Sequence, residues 1–545
     1  MSVSKNKPTK RIRIERIELQ NFRGVSHGIV EFNCLKSPRE KDTLADVLGI
    51  YGQNGSGKTT LLEALHIAKL AMMGSKIPYS KYGNIIAQGA DSARMILTFQ
   101  VGNDDGADYH LEYAFSLGTW EYLADDKVGL WKEADKSALK LSKSAKLSAS
   151  LIRSVGSAAF MASTVAGLPG ALVAGGIGIA GIVAGQILNR AGSENDHYSE
   201  SEGKHLAVFD EVLSLSGSFN GNDFRFGPIF DARSNDSPFL PKAKQKEFFP
   251  KKTSAALKEA QRVKSNSLIN AKSFIFCDEF INLLFEQETI TEYAHIILDL
   301  RAFAVKQLRV LGMELNNSVR NDAILLYTAN RGVAIRRSDS TTFLDEKGLQ
   351  TLTTAINGLN VVLQQVIPGL KLEAVRQVDI DNENAQNRSQ GTKVTVYSVR
   401  DNVRIRLAEE SAGIIRLISS LGLFSYAFVH SDVTVAIDEI DAGVYEYLLG
   451  ELLLIFEEYG AGQLIFTCHN LRPMEVLSKK YIYFTTTNPE NRYLKPKSIR
   501  NENNLRDVYL REIISGGQDE DLYTTAKHGK IAAALQKAGD LLGQE

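Results

Sequence analysis

Apolar and polar residues alternate from Ile12 to Phe32 in two short runs around Asn21-Phe22-Arg23-Gly24, the pattern of two strands joined by a turn at a sheet edge. Val47 to Tyr51 is a short apolar run that leads into a glycine-rich stretch and then a helical pattern from Thr60 to Leu70, so the order there is strand, loop, helix. From Phe274 to Leu325 apolar residues recur with a helical period, which predicts long helices. After about Thr392 the strand pattern returns. Val433 to Ile437 and Gln463 to Thr467 are β-rich runs, each followed by polar residues at its C-terminal edge, where a parallel sheet binds ligands. The pattern predicts an α/β domain made from both ends of the chain, with a largely helical region inserted between its halves.

The middle differs in character. Lys127 to Lys146 is studded with lysine, Ser154 to Asn189 carries no charged residue, and Ser193 to Glu202 is an acidic, serine-rich linker. Ala171 to Leu188 approaches the ~20 apolar residues that span a bilayer. Pro169-Gly170 splits the uncharged run, and Gly181 and Gly185 have the spacing that lets two helices approach closely. The segment is therefore expected to be a buried or oligomerising helical hairpin, with membrane contact left open. Between Pro241 and Lys272 nine Lys and Arg residues stand against two Glu. That patch is either a solvated helix face or a contact for a phosphate backbone.

Composition narrows the class. At ~150 residues per domain, a chain of 545 residues suggests three to four domains, or two if one is large. Hydrophobic residues at 44% and charged residues at 23% exclude collagen-like and wholly disordered chains. The net charge of -1 means that nucleic-acid contact would rest on local patches. Cys34, Cys277 and Cys468 are too scattered for a disulfide framework or a zinc site. The start, Met1 to Arg13, is polar and basic with no apolar core, so no secretory signal is expected and a cytoplasmic location is.

Gly52-Gln53-Asn54-Gly55-Ser56-Gly57-Lys58-Thr59 fits G-x-x-x-x-G-K-[ST] in full, between a predicted strand and a predicted helix. Its glycines let consecutive backbone N–H groups turn toward phosphate oxygens, and the helix N-terminus adds its dipole. Lys58 would neutralise terminal phosphates and Thr59 would offer a hydroxyl to magnesium; Thr60 continues the phosphate-facing turn. Asp438, at the end of the apolar run Val433 to Ile437, is the candidate magnesium-directed acid, directly or through water. Glu439 is the candidate general base on an attacking water. After the next predicted strand, Thr467-Cys468-His469-Asn470 offers His469 to the γ-phosphate and the attacking water.

With these motifs in this order, the chain resembles the ABC-type ATPases of the SMC, RecF and OLD group. The resemblance covers about 250 residues at the two ends. It implies an ABC-type P-loop head, ATP and Mg2+ as ligands, and work on DNA or against foreign DNA. Asn21-Phe22-Arg23-Gly24 is similar to the group's N-terminal strand motif, which implies that Arg23 approaches the nucleotide phosphates. Glu410-Ser411-Ala412-Gly413-Ile414-Ile415-Arg416-Leu417 resembles the signature motif, which implies that Ser411 and Gly413 cap the ATP of an opposite subunit. It departs from LSGG and has Ile414 in place of the usual small polar residue. Gln88 falls where a Q-loop glutamine is expected, a further magnesium contact.

The stretches IDEIDAGVYEYLLGELL and LIFTCHNLRPMEVL look most like the ATPases of bacterial anti-phage systems, in particular PtuA-type proteins of Septu and some retron systems. Too few residues follow His469 for a Toprim nuclease, so cutting would need a partner. The resemblance implies an HNH nuclease of the PtuB type, acting with a homodimer or higher oligomer.

The expected layout has an N-terminal lobe over 1–100, an inserted region over 101–390, a C-terminal lobe over 391–500 and a helical tail over 501–545 that offers a partner docking site. The favoured reading is an ATPase that gates an effector nuclease in anti-phage defence. The alternatives are a DNA-repair ATPase of the SMC or RecF kind, with DNA or RNA on the basic patch, and an ATP-gated membrane-active effector.

Overall fold

The computed structural model describes residues 11–32, 45–102, 109–119, 205–219, 222–233, 239–250, 253–287, 290–312, 323–328, 332–336, 342–377, 392–401, 403–496, 504–515, 518–523 and 528–542. One compact unit is formed by Met1–Ile77, Asn84–Gly118 and Ala207–Glu545. The second, Pro78–Gly83 with Thr119–Leu206, lies mostly outside the described residues. The uncharged segment Ser154 to Asn189 falls there, and Cys34 of the first unit also lies outside the described residues.

The chain opens with the hairpin β1 (Arg11–Phe22) and β2 (Val25–Glu31), then passes through β3 (Asp46–Tyr51) into the helix Lys58–Met72. After β4 (Ile77–Pro78) come β5 (Ser92–Gly102), β6 (Tyr109–Gly118), β7 (His205–Phe219) and β8 (Asn222–Asp231). The helices Lys242–Phe248, Thr253–Ile269, Asp278–Phe285 and Glu292–Ala302 follow, the last running through a π-helical turn, Phe303–Gln307, into β9 (Leu308–Leu311). Next are β10 (Ala323–Tyr327), β11 (Gly332–Arg336), β12 (Thr342–Leu344), the helix Glu346–Val366, β13 (Lys371–Gln377), β14 (Thr392–Arg400) and β15 (Val403–Arg406). The helix Ala412–Val429 leads to β16 (Thr434–Ile437), the helix Glu446–Tyr459, β17 (Gln463–Thr467), β18 (Ile482–Thr485) and β19 (Tyr493–Leu494). The helices Leu505–Ser515 and His528–Leu542 come last.

The central sheet has the order β19-β18-β3-β17-β16-β9. From β18 to β9 every pairing is parallel, and β19 runs antiparallel to β18. Every residue of β3, β16, β17 and β18 is buried. Continuous burial is what a parallel sheet covered on both faces requires, and it explains why these strands read as unbroken apolar runs. Val47, Val435, Leu464 and Ile482 join Leu449, Leu453 and Phe456 of the helix Glu446–Tyr459 in one core.

Two larger antiparallel sheets belong to the same unit, besides the two-stranded antiparallel pair β10-β11. One has the order β2-β1-β5-β6-β7, with β8 also pairing β7; the burial of β5 alternates along its length, as in a sheet with one covered face. The other has the order β12-β14-β13 with β15 on β14. Its core takes Leu349, Leu352 and Leu363 from the helix Glu346–Val366 and Ile415, Ile418 and Leu421 from the helix Ala412–Val429.

The expectation of a largely helical insertion over 101–390 meets a mixed region, because strands from β6 to β13 lie within it alongside its helices. The long helices expected from Phe274 to Leu325 are short ones, Asp278–Phe285 and Glu292–Ala302, followed by β9. β9 is the run LRVL, buried at its two ends, and four apolar-rich residues cannot be told from a helical segment by period alone. Its partner is β16, more than a hundred residues later. The helix Ala412–Val429 is long and apolar enough to cross a membrane, yet ten of its residues are buried in the protein.

Arg13 ties β1 to the central sheet. Its guanidinium meets Asp46 at 2.6 Å, with both side chains 3% exposed. It also donates to Ser431 O at 3.1 and 3.2 Å and to Ala461 O. Removing one member of a buried pair strands the other charge, at about 3–5 kcal/mol. Asp46→Ala should therefore lower the unfolding free energy by about that much in a urea titration. A change under about 1 kcal/mol would show that β1 is held by other contacts.

Candidate phosphate-binding site

The loop after β3 is shaped by its neighbours in space as well as by its own glycines. A Cβ on Gly52 would fall 1.6 Å from Thr485 Oγ1, so the backbone passes where only hydrogen fits. Gly57 has φ +94° at the start of the helix Lys58–Met72, a conformation that favours glycine. No side chain caps that helix, which leaves its first N–H groups open to an anion. Ser56 Oγ bonds Gln53 O at 2.6 Å and Thr485 Oγ1 at 2.5 Å. Tyr493 Oη donates to Gly57 O at 2.8 Å. Asn54 and Gly55 are exposed at the loop tip, while Thr60 is buried in the first helical turn.

Lys58 Nζ donates to Gly52 O at 2.7 Å and Gln53 O at 3.0 Å. Burial lowers its pKa, and the carboxylates of Asp438, Glu439 and Asp441 oppose that shift. The lysine thus stands between the loop and three acids.

Those acids follow β16. Asp438 is fully buried, and its Oδ1 accepts from Thr467 Oγ1 at 2.5 Å and from Thr59 Oγ1 at 3.4 Å. Its Oδ2 is buried with no hydrogen-bond partner. An orphaned carboxylate oxygen beside a threonine hydroxyl fits a hard, oxygen-seeking cation such as Mg2+. Glu439 has φ +47°, a strained conformation for a residue with a side chain. Its N–H donates to Thr467 Oγ1 at 2.7 Å. Asp441 Oδ2 accepts from the N–H groups of His469 at 3.1 Å and Asn470 at 2.9 Å, which fixes the backbone under the exposed His469.

The remaining candidates lie around this centre. Arg23 has φ +47°, donates its N–H to Ile85 O at 2.8 Å, and pairs with Glu63 of the loop helix at 2.5 Å. Gln88 is exposed just beyond the bridge between Phe22 and Ile86. Ser411 caps the helix Ala412–Val429 through Oγ and Ile414 N at 3.3 Å, and Gly413 packs against Gly443 in the loop after Glu439. In the basic patch, Lys244 engages Tyr293 at 2.7 Å and Glu247 at 3.3 Å, Arg262 engages Glu259, and Lys242, Lys246 and Lys258 are exposed.

Sequence reasoning assigned no role to Asp441, Thr467, Thr485 or Tyr493. Asp441 could have been found as the third acid of Asp438-Glu439-Ile440-Asp441. Thr485 and Tyr493 carry no local motif, since they reach the loop from more than four hundred residues away.

A family model described as an AAA domain matches residues 16–148. That span contains the loop from Gly52 to Thr59. No curated protein matches the chain. Among solved structures, the chain is similar to the Smc head domain with a coiled coil and joint from Pyrococcus yayanosii, at 12% identity and a TM-score of 0.33, covering 92% of this chain and 99% of that one. It is also similar to the SMC head domain from Thermotoga maritima, at 11% and 0.30, covering 89% and 100%. A third is the recombination mediator RecF bound to ATPrS, at 12% and 0.28, covering 85% and 94%.

Gly52→Ala should drive Thr485 out of the loop's support and weaken nucleotide binding at least about tenfold, or about 1.4 kcal/mol. A fluorescent ATP analogue titrated into both proteins reads this. Equal affinities would mean that the loop tolerates displacement from β18.

Proposed function

We propose that the chain binds Mg-ATP on Gly52 to Thr60 and hydrolyses it, as the head of an ABC-type ATPase. The observation that carries this reading is the fully buried Asp438 carboxylate with its unpartnered Oδ2, beside the Thr59 hydroxyl and an uncapped helix N-terminus. Backbone N–H groups of the loop and the helix start receive phosphate oxygens, and Lys58 neutralises the terminal phosphates. Thr59 and Asp438 would hold magnesium, which when bound would supply positive charge against the developing charge of phosphoryl transfer. Glu439 takes a proton from water as the water oxygen bonds to the γ-phosphorus and the bridging P–O bond breaks. His469 orients that water, with its backbone fixed by Asp441.

Ser411 and Ala412 are exposed at the start of their helix, which suits capping of the ATP of a second subunit in a homodimer. The finer reading is that the dimer gates a partner nuclease in anti-phage defence in the cytoplasm, an HNH-type PtuB protein in particular. Its support is the resemblance of the stretches around Asp438 and His469 to PtuA-type ATPases. Exposed Lys242, Lys246 and Lys258 offer DNA or RNA a secondary contact.

Lys58→Ala should abolish binding of a fluorescent ATP analogue. Glu439→Gln should bind ATP normally, lose about 100-fold or more in turnover, and elute as a dimer when ATP is present. Wild-type turnover in Glu439→Gln would reject Glu439 as the base. For the finer reading, gentle purification from the native operon should bring a nuclease with the chain; a chain that arrives alone would reject it.

A further inference from the structure

The peptide that joins Asp438 to Glu439 is held at both of its polar ends. Its N–H donates to Thr467 Oγ1 at 2.7 Å, and its carbonyl accepts from Arg416 Nη2. The grip falls just where Glu439 takes up φ +47°, a conformation that persists only when the surroundings impose it. Arg416 is 8% exposed, and its Nε is buried without a hydrogen-bond partner. A buried guanidinium left partly unsatisfied costs stability.

Arg416 lies in the first turns of the helix Ala412–Val429, one turn beyond Gly413. Gly413 meets the far end of the same acidic loop: a Cβ on Gly443 would fall 2.5 Å from Gly413 Cα, and Gly443 has φ +79°. The helix thus grips the segment from Asp438 to Gly443 at both ends. Elsewhere, Leu417 and Leu421 of the helix line an apolar cavity with Ile437 and Leu453.

We propose that Arg416 is a positioning residue for ATP hydrolysis. It fixes the peptide between Asp438 and Glu439 so that the Glu439 carboxylate faces the attacking water, and it carries displacement of the helix that begins after Ser411 to that carboxylate. A phosphate bound at Ser411 and Gly413 then acts on the general base through one side chain. This rests on the reading of Glu439 as that base.

The test compares steady-state ATP turnover and the affinity of a fluorescent ATP analogue in the full chain and in Arg416→Gln, Arg416→Lys, Gly443→Ala and Glu439→Gln. Arg416→Gln should lose about 30-fold or more in kcat with affinity within about threefold of wild type. Arg416→Lys keeps a charged donor and should recover about tenfold of that loss. Turnover of Arg416→Gln near wild type, a loss of affinity in step with kcat, or an Arg416→Lys as slow as Arg416→Gln would each overturn the proposal. If Arg416→Gln does not fold, Gly443→Ala decides. Added bulk between helix and loop should cut kcat about tenfold or more at unchanged affinity, and wild-type turnover there overturns the coupling. Glu439→Gln separates the two ideas: inactive Glu439→Gln beside active Arg416→Gln rejects only the arginine, whereas active Glu439→Gln rejects the base itself.

Discussion

The parallel register of β3, β17 and β16 is the constraint on which the rest depends. Thr467 lies beside Ile50, and Phe466 beside both Ile437 and Gly49, so the three strands end at one edge of the sheet. Gly52, Asp438 and His469, from points as much as four hundred residues apart, are delivered to that edge together. Parallel pairing with covered faces also dictates the composition of the strands, because a residue on either side meets protein rather than water. The same requirement that buries Val435 and Ile437 forces the first polar groups to appear at the strand end, and the chemistry follows from that position.

The legible part of the site was the part written locally. The loop from Gly52 to Thr59, the Asp438-Glu439 pair and His469 each sit within a few residues of a strand end, so a run of apolar residues followed by a characteristic polar group announces them. Arg416, Thr485 and Tyr493 were opaque because their partners are Asp438, Ser56 and Gly57, and no spacing in the sequence connects them. The fold divides in the same way. The hairpin of β1 and β2 and the strands β3, β16 and β17 follow their periodicity, while β9 is a strand only because β16 offers it a parallel edge. A four-residue apolar run has no period of its own, and tertiary pairing decides its state.

Buried polar atoms without a hydrogen-bond partner occur at several places among the described residues, and three of them gather in one small region. Asp438 Oδ2, Arg416 Nε and Asp441 Oδ1 all lack hydrogen-bond partners, and all three residues lie on or beside the segment that follows β16. Glu439 adds backbone strain within it. The contrast with Arg13 is instructive: that buried arginine is answered by Asp46, Ser431 O and Ala461 O, as a purely architectural charge should be. Three such groups gathered beside one strained backbone position set the segment after β16 apart from the fully answered Arg13 tie.

The helix Ala412–Val429 is shared by two hydrophobic cores. Ile415, Leu417, Ile418 and Leu421 belong to the core of the β12-β14-β13 sheet, and Leu423, Phe424 and Ala427 to that of the central sheet. Neither core can melt without stripping half the helix of its neighbours, which couples the stability of the two cores at this seam. Damage to the apolar packing around Leu352 or Leu363 would therefore reach the strand-end edge of the central sheet as a loss of order, through the shared helix alone. In such a molecule, tolerance to substitution is set by which residues anchor the shared helix as much as by distance from the loop after β3.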